Sequence, residues 1–202
     1  MKKDSARRKI WNFIWHDDSL LSWIVNLILA FFIIKYLIFP AMGFALGSQF
    51  PMVAVVSSSM EHDGNFDSWW SSQAYCGNRI CTQEKFYAQY NISKEDFQEF
   101  IFRNGFNKGD VMVLSSPSKL KAGDVVVFFA RDGRPIIHRV ISLDPLQTKG
   151  DHNQDQIENN LLNEKNISRE NLIGKVSIKI PWIGYVKIIF AWVMSLFGIA
   201  VA

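Results

Sequence analysis

Three groups of side chains with catalytic potential lie next to apolar segments of the chain. The serines 57–59 follow the apolar run 52–56, His138 interrupts a second apolar run, and Asp151 and Asp155 lie in a polar segment further on. A serine hydroxyl is a weak nucleophile near neutral pH. It needs an imidazole to accept its proton and a carboxylate to fix the imidazole tautomer. Residues of these three types on separate strands or turns are what an acyl-transfer site needs.

Each group also has a structural interpretation when it is taken alone. A serine triplet is typical of a strand that ends in a turn, a lone histidine in a strand is often a packed or surface residue, and a Gly-Asp turn is usually a solvated loop. His62 and His152 lie near aspartates, but their spacing matches no zinc signature and indicates loop histidines. The sequence therefore predicts neither a metal ion nor another cofactor.

The central part of the chain predicts a mainly β fold. Short β-branched runs bounded by Gly, Asp or Pro are typical of strands, and they occur at 51–56, 111–114, 125–129, 136–141 and 173–180. The segment 61–108 separates the first two runs and is predicted to be a partly helical insertion, in which Ser93–Asp96 starts a helix with a capping box. Cys76 and Cys81 in this insertion either close a disulfide loop in an oxidising compartment or remain free or buried thiols.

The N-terminal part of the chain predicts a membrane anchor. Leu20–Phe39 is twenty residues long and strongly apolar, and a helix of this length spans about 30 Å, which matches a hydrocarbon core. We therefore predict a transmembrane anchor at 19–40. A cleavable secretory signal is the alternative, but its apolar region has roughly 7–15 residues. Basic residues predict that the segment 1–18 is cytoplasmic, with an interfacial helix over 6–15 that strengthens the anchor.

Beyond the anchor, the sequence divides into a β-rich domain and a second apolar end. Residues 41–180 are predicted to form the extracytoplasmic domain that contains the insertion. The segment 181–202 is apolar, with Lys187 as its only charged residue. Fifteen residues follow Lys187, or about 22 Å of helix. We predict a second spanning helix here, with an interfacial or re-entrant helix as the alternative.

Composition excludes several classes of protein. With 49% hydrophobic residues the chain is not a disordered one. Its net charge of +3, from 22 Lys and Arg against 19 Asp and Glu, is too small for a dedicated nucleic-acid binder. Two cysteines are too few for a disulfide scaffold or a cysteine-rich zinc module. These exclusions leave a membrane-anchored domain with a folded core.

The order of the motifs resembles type I signal peptidase, in its archaeal and endoplasmic-reticulum branch. Five motifs that occur in the family's order carry the resemblance: Ser57-Ser-Ser-Met60, Phe106-Asn-Lys-Gly-Asp110, Leu120-Lys-Ala-Gly-Asp124, Ile137-His-Arg-Val140 and Thr148-Lys-Gly-Asp151. The histidine in the fourth motif stands where bacterial relatives place a lysine base. The family's last strand and exit are matched by 173–176 and 180–185, so the resemblance extends from the anchor to about Tyr185, apart from the insertion.

The resemblance implies a role for each matched residue. Ser59 would be the nucleophile, and His138 would be the general base and then the acid that protonates the leaving amine. The Ser59 N–H and the Ser57 hydroxyl would stabilise the oxyanion. The family's first acidic position falls on Asp151, but its second falls on Ile157. We therefore predict that Asp155 orients His138 and that Asp151 supports the site.

The resemblance also implies a substrate and a fold. Met52, Ala54, Val56 and Met60 would line shallow pockets beside a strand edge, where an extended peptide adds as a strand. The expected fold is a signal-peptidase-like β-barrel or β-sheet domain. The expected function is a serine endopeptidase that cleaves signal peptides from exported preproteins.

The expected setting is a lipid bilayer beside the protein-export channel, without nucleic acid. The membrane would be an archaeal-like plasma membrane, or the endoplasmic reticulum membrane in a eukaryote. The alternative function is a catalytically silent, membrane-anchored β-domain that serves as a binding or scaffold subunit of a membrane complex.

Overall fold

The computed structural model describes residues 6–185, 189 and 192. They divide into two compact units, Met1–Ala45 and Leu46–Ala202, which we describe separately. The predicted C-terminal membrane helix, 181–202, lies for the most part outside the described residues.

The N-terminal unit is helical. Helix α1 covers Ala6–Trp15, and α2 covers Leu20–Ile33 and continues through a π-helical turn, Ile34–Ile38, into α3, Phe39–Leu46. In the described part of the chain one helix, Leu20–Leu46, is long and apolar enough to span a membrane, with 27 residues and a mean hydropathy of 2.2. It runs past Pro40, where the sequence predicts the anchor to end. A proline inside a helix removes one hydrogen bond and crowds the preceding turn, and the π-helical turn lies directly before it.

The end of α1 is tied to the start of α2 by two side chains. The Ser22 hydroxyl donates to the Phe13 carbonyl over 2.6 Å, and the Asn26 amide donates to the Ile14 carbonyl over 2.9 Å. The last carbonyls of a helix have no partner within the helix, so these bonds satisfy two of them. An α-helix therefore forms where the sequence predicts the interfacial helix. Its position at a lipid surface stays a prediction.

The second unit is built on one six-stranded antiparallel sheet, as expected of a mainly β domain. The strand order is β1-β4-β8-β5-β6-β7, so β1 and β7 are its edges. The strands are β1 Met52–Ala54, β4 Val111–Ser115, β5 Val125–Phe129, β6 Pro135–Leu143, β7 Leu146–Lys149 and β8 Leu172–Ile180. Side chains from several strands form a buried core that includes Val55, Met60, Phe106, Met112, Leu114, Val125, Val127 and Val176.

Two Gly-Asp turns start β4 and β5. Asp110 accepts a hydrogen bond from the backbone N–H of Asn107 over 3.0 Å, and Asp124 accepts one from the backbone N–H of Lys121 over 2.9 Å. The preceding glycines have φ values of +92° and +90°, a region that other residues avoid. The repeated Gly-Asp signal in the sequence therefore marks two equivalent strand entries.

The insertion packs against the sheet, and its buried cluster includes Ile141 of β6. Its elements are α4 Phe66–Trp70, the hairpin strands β2 Gln73–Cys76 and β3 Arg79–Thr82, α5 Gln83–Ala88 and α6 Lys94–Gln98. The predicted capping box is present at Ser93 and Asp96, and Cys76 and Cys81 form a disulfide across the hairpin. A second buried cluster holds the insertion's aromatic rings, Trp69, Trp70, Phe86, Tyr87 and Phe97.

Candidate active site

Ser59 lies in the turn after the edge strand β1. Its hydroxyl is 3.3 Å from the hydroxyl of Ser57, and its side chain is half-buried. The next residue, Met60, is buried in the sheet core and fixes the end of the turn. Its sulfur accepts the backbone N–H of Asp151 over 3.4 Å. The serine turn is thus joined directly to the segment that follows β7.

His138 lies on β6, opposite Val126 of β5, and is almost fully buried. Its Nδ1 is 2.5 Å from Oε1 of Glu164. With Glu164 as a carboxylate, which only accepts hydrogen bonds, the N–H of a neutral imidazole would be on Nδ1, and Nε2 would keep a lone pair. This is the tautomer that a general base requires.

Glu164 is fully buried, and both of its carboxylate oxygens have hydrogen-bond partners. Besides His138, Oε1 accepts the Thr148 hydroxyl over 3.0 Å, and Oε2 accepts the backbone N–H of Ile157 over 2.7 Å. Its own backbone carbonyl accepts the N–H of Thr148 on β7 over 3.0 Å. The loop after Ile157 therefore turns back along β7 and delivers Glu164 to the imidazole.

The predicted contact between an aspartate and His138 does not form. Asp155 is half-buried and its Oδ1 accepts the adjacent N–H of Gln156 over 2.7 Å. Asp151 binds Arg139, as described below. Sequence reasoning missed Glu164 because it lies thirteen positions after Asp151, beyond the family spacing. The only signal in the sequence was Ile157, because it stands where the family has its second acidic residue. A carboxylate for His138 therefore had to come from another position.

Ser57, Ser59 and His138 line one cleft of about 250 Å³. The rest of its wall is mainly apolar and comes from Val53, Ala54, Val56, Val127, Pro135, Ile136, Ile137 and Ile157, with Asn153 as a further polar residue. Of the predicted pocket residues, Ala54 and Val56 thus line the cleft. Met52 is paired with Val113 at the start of β1 and is not among the lining residues. Met60 belongs to the core instead, because its side chain is buried under the serine turn.

Gly150 lies between the serine and the histidine. A Cβ atom added to Gly150 would stand 2.8 Å from the Ser59 carbonyl oxygen and 2.8 Å from His138 Nε2. It would also stand 2.7 Å from Asn153 Nδ2. The absence of a side chain at position 150 therefore allows these three residues to approach one another.

Asp151 and Arg139 form a buried ion pair behind the cleft. Arg139 Nε and Nη2 donate to the two carboxylate oxygens over 2.9 and 2.7 Å. The remaining donors bind the carbonyls of Ile101, Gly123 and Phe102 over 2.9–3.0 Å. Burial would raise the pKa of Asp151, but Arg139 and a hydrogen bond from His62 hold that pKa well below its usual range. Asp151 is therefore a structural anion at the junction of sheet and insertion.

The sequence indicated a loop histidine at position 62, and the structure shows that the His62 side chain is buried against Asp151. Its Nε2 is 3.1 Å from Oδ2 of Asp151, and its ring stacks on Trp69 with 3.7 Å between ring centres. His152 is exposed and 3.7 Å from Asp63. Within the described residues, no group of three or more His, Cys, Asp or Glu side chains is arranged to hold a metal ion.

The insertion holds the loop that follows β7 through three hydrogen bonds. The Trp69 indole donates to the Asp151 carbonyl over 2.9 Å. The Gln83 amide donates to the Asn153 carbonyl over 3.2 Å, and the backbone N–H of Tyr75 donates to the Gln154 carbonyl over 2.9 Å. The insertion is thus a support for this loop of the cleft.

Lys149 is fully buried next to the cleft. Its ammonium donates to Gln83 Oε1 over 2.9 Å and to the Gly150 carbonyl over 3.1 Å. It also lies 5.1 and 5.3 Å from the ring centres of Phe86 and Tyr87. Burial lowers the pKa of Lys149 to about 8, although Asp151 and Glu164 act in the opposite direction.

The low pKa of Lys149 predicts a pH-dependent stability. Between pH 8 and the unfolded value near 10.4, the unfolded chain binds a proton that the folded chain has lost. The free energy of unfolding should therefore rise with pH across this interval, by about 1.5 kcal/mol between pH 8 and 9.5. Thermal unfolding of the wild type and of Lys149→Met, followed at several pH values in detergent micelles, measures it. Parallel pH profiles for the two proteins would contradict the assignment.

A β-sheet domain with a serine hydroxyl and a buried histidine–glutamate pair at one cleft has the parts of a serine hydrolase, and the chain also has a helix long enough to span a membrane. No family model matches the chain. The chain is similar to signal peptidase complex catalytic subunit SEC11 of Verticillium alfalfae, with 33% identity over 97 residues that cover 43% of this chain and 56% of the relative.

Two further relatives of the same name extend this finding. The SEC11 subunit of Lodderomyces elongisporus is 36% identical to this chain over 97 residues, which cover 43% of this chain and 58% of the relative. That of Plasmodium falciparum is 28% identical over 99 residues, covering 44% and 52%. The chain spans about half the length of the curated relatives that it matches. The resemblance to the endoplasmic-reticulum branch of type I signal peptidases is confirmed over the matched part.

Proposed function

We propose that this chain is a membrane-bound serine endopeptidase that cleaves signal peptides from preproteins. The observation that supports it most is the bond between His138 Nδ1 and the buried Glu164 carboxylate, on a histidine whose Nε2 lies beside Gly150 in the cleft that Ser59 lines. A general base for a serine requires this tautomer and this exposure to the cleft. The name of the relatives, signal peptidase complex catalytic subunit, supports the substrate class.

The proposed reaction proceeds through an acyl-enzyme. Ser59 Oγ attacks the scissile carbonyl carbon while His138 Nε2 takes the hydroxyl proton, and the Ser59 N–H and the Ser57 hydroxyl stabilise the oxyanion. The C–N bond then breaks as His138 returns the proton to the leaving amine. A water molecule, deprotonated by the same nitrogen, hydrolyses the ester. Glu164 stays ionised and orients the imidazole throughout.

The cleft supports a preference for small side chains beside the scissile bond. The cleft has a volume of only about 250 Å³, and much of its wall is apolar and includes Ala54, Val56 and Ile137. β1 is an edge strand, so an extended peptide can add to it through main-chain hydrogen bonds. The substrates would be preproteins cleaved after small residues.

The membrane setting belongs to the same proposal. The helix Leu20–Leu46 would cross the bilayer, and the basic residues that precede it favour a cytoplasmic N-terminus. The membrane would be the endoplasmic reticulum in a eukaryote or the plasma membrane in an archaeon, near the protein-export channel. A substrate whose apolar signal lies in the same bilayer is concentrated near the enzyme, as in a tethered second binding event.

Membranes from cells that express the full chain provide the test. A radiolabelled preprotein should be shortened to a product with a defined N-terminus by wild-type membranes, and not by membranes that carry equal amounts of Ser59→Ala or His138→Ala. A product that persists at the wild-type rate in either variant would contradict the proposal. No excess of product over membranes that lack the chain would favour the silent scaffold domain.

Gly150→Ala is expected to lower the rate of cleavage at least about 100-fold, because displacing catalytic groups by about 1 Å can have this effect. The added methyl would meet the Ser59 carbonyl, His138 Nε2 and Asn153 Nδ2 within 2.8 Å, so the groups must separate. Initial rates on the same preprotein measure the loss. Gly133→Ala is the control for activity, because a Cβ there meets nothing within 4 Å, and equal losses in both variants would contradict the explanation.

A further inference from the structure

Asn153 has a fixed backbone and a side-chain nitrogen without a partner. Its backbone N–H donates to the Gly150 carbonyl over 3.0 Å, and its carbonyl accepts the Gln83 amide over 3.2 Å. Its Nδ2 is buried and forms no hydrogen bond to any other group in the described part of the chain. A buried N–H without a partner costs free energy and is uncommon in native proteins. This one therefore requires an explanation.

The orphan nitrogen lies in the reacting part of the cleft. Asn153 lines the same cleft as Ser59 and His138. A Cβ atom at Gly150 would lie 2.7 Å from Asn153 Nδ2 and 2.8 Å from His138 Nε2, so the two nitrogens lie near the same point. Because most of the remaining lining side chains are apolar, the few polar groups decide how a ligand is oriented. The natural partner of an amide N–H in such a place is an acceptor oxygen of the ligand.

We propose that Asn153 is a substrate-binding residue that donates a hydrogen bond from Nδ2 to a main-chain carbonyl oxygen of the bound peptide, next to the scissile bond. This inference rests on the proposed function and adds a contact to it. The bonds to Gly150 and Gln83 fix the backbone of Asn153 before the peptide arrives, and rotation of its side chain brings the buried Nδ2 to the peptide. A peptide carbonyl that enters the cleft then satisfies a donor that the free protein leaves unpaired.

Two substitutions separate binding from structure. Asn153→Leu keeps the size of the side chain and removes the donor. It should lower kcat/KM for the preprotein by about 10- to 100-fold, as loss of one hydrogen bond does when its buried acceptor is left unpaired. Its thermal unfolding midpoint should stay at the wild-type value or rise, because an unpaired buried donor has been removed. Asn153→Asp, nearly identical in shape but without the N–H donors, should also lose activity.

Peptide binding gives a readout besides activity. In the Ser59→Ala background, a fluorescent peptide that spans a cleavage site is bound but not cut, and its anisotropy reports the Kd. Asn153→Leu in that background should weaken binding roughly tenfold, which corresponds to one lost hydrogen bond with its acceptor left unpaired. Asn104→Leu, the same change at an exposed asparagine, is the matched control and should bind and cleave like its parent.

The possible results distinguish failure of the inference on Asn153 from failure of the proposed function. If wild type cleaves, Ser59→Ala does not, and Asn153→Leu binds and cleaves like wild type, the inference on Asn153 is overturned and the proposed function stands. A lower unfolding midpoint with unchanged peptide affinity would make Asn153 structural and would also overturn it. Full activity of Asn153→Asp would show that the side chain accepts and does not donate. An inactive wild type would remove the proposed function and this inference together.

Discussion

Glu164→Gln is expected to lower the cleavage rate about 10⁴-fold while the domain stays folded. The glutamine side chain has one carbonyl and one NH2 group, but Glu164 accepts hydrogen bonds on both oxygens, from His138 and Thr148 on Oε1 and from Ile157 on Oε2. If the NH2 group faces His138, it forces the proton onto Nε2, and the histidine can no longer take a proton from Ser59. Loss of the correct tautomer at an equivalent position costs about this factor in another serine protease.

The comparison with Asp155→Asn makes this prediction specific. Asp155 accepts a hydrogen bond from its neighbour's backbone, whereas His138 is bonded to Glu164, so we expect the amide variant of Asp155 to cleave at close to the wild-type rate. Initial rates on one preprotein, with equal amounts of each variant in the membrane, measure both effects. A slow Asp155→Asn beside a fully active Glu164→Gln would restore the assignment that the family spacing suggests.

Arg139→Met is expected to destabilise the domain by about 4 kcal/mol, a large part of the 5–15 kcal/mol that a domain typically has. The substitution leaves the Asp151 carboxylate buried without its guanidinium and the carbonyls of Ile101, Gly123 and Phe102 without donors. Thermal unfolding in detergent micelles measures the loss. The expected signs are a lower midpoint and poor accumulation in the membrane.

A double substitution and a surface control test the physical reason. Arg139→Met combined with Asp151→Leu removes both charges and should recover part of the lost stability, because the uncompensated anion is the main cost. Lys94→Met removes an exposed ion pair with Asp67 and should leave the midpoint unchanged, since exposed pairs contribute little. A midpoint of Arg139→Met equal to that of Lys94→Met would contradict the importance of the buried pair.

Local sequence patterns predicted most of the sheet. The five predicted runs correspond to β1, β4, β5, β6 and β8, and the capping box at Ser93 starts a helix. Strand β7, at one edge of the sheet, is short and mixes polar with apolar residues, so it lacks the β-branched signal. The helix that begins at Leu20 extends beyond its predicted end at residue 40, because a proline can kink a helix without ending it.

The candidate site was predictable where local motifs place residues on strands. Ser59 and His138 line one cleft, although their catalytic roles remain predictions. The carboxylate was not predictable, because Glu164 reaches His138 through a long loop that returns along β7. The spacing between two residues in the sequence predicts their distance in the fold only when few residues separate them. Asp151, which the motif marks, contributes instead to the buried charge pair with Arg139.

The contacts of Trp69, Gln83 and Tyr75 with the loop after β7 also bear on how the chain could be shortened. A truncated version that lacked the insertion 61–108 would keep the hydrogen bonds between β1 and β4, but it would lose the bonds to the carbonyls of Asp151, Asn153 and Gln154. Its loop would be free to sample other conformations. A minimal fragment that keeps the cleft intact must therefore retain the insertion, even though the insertion contributes no residue to the cleft itself.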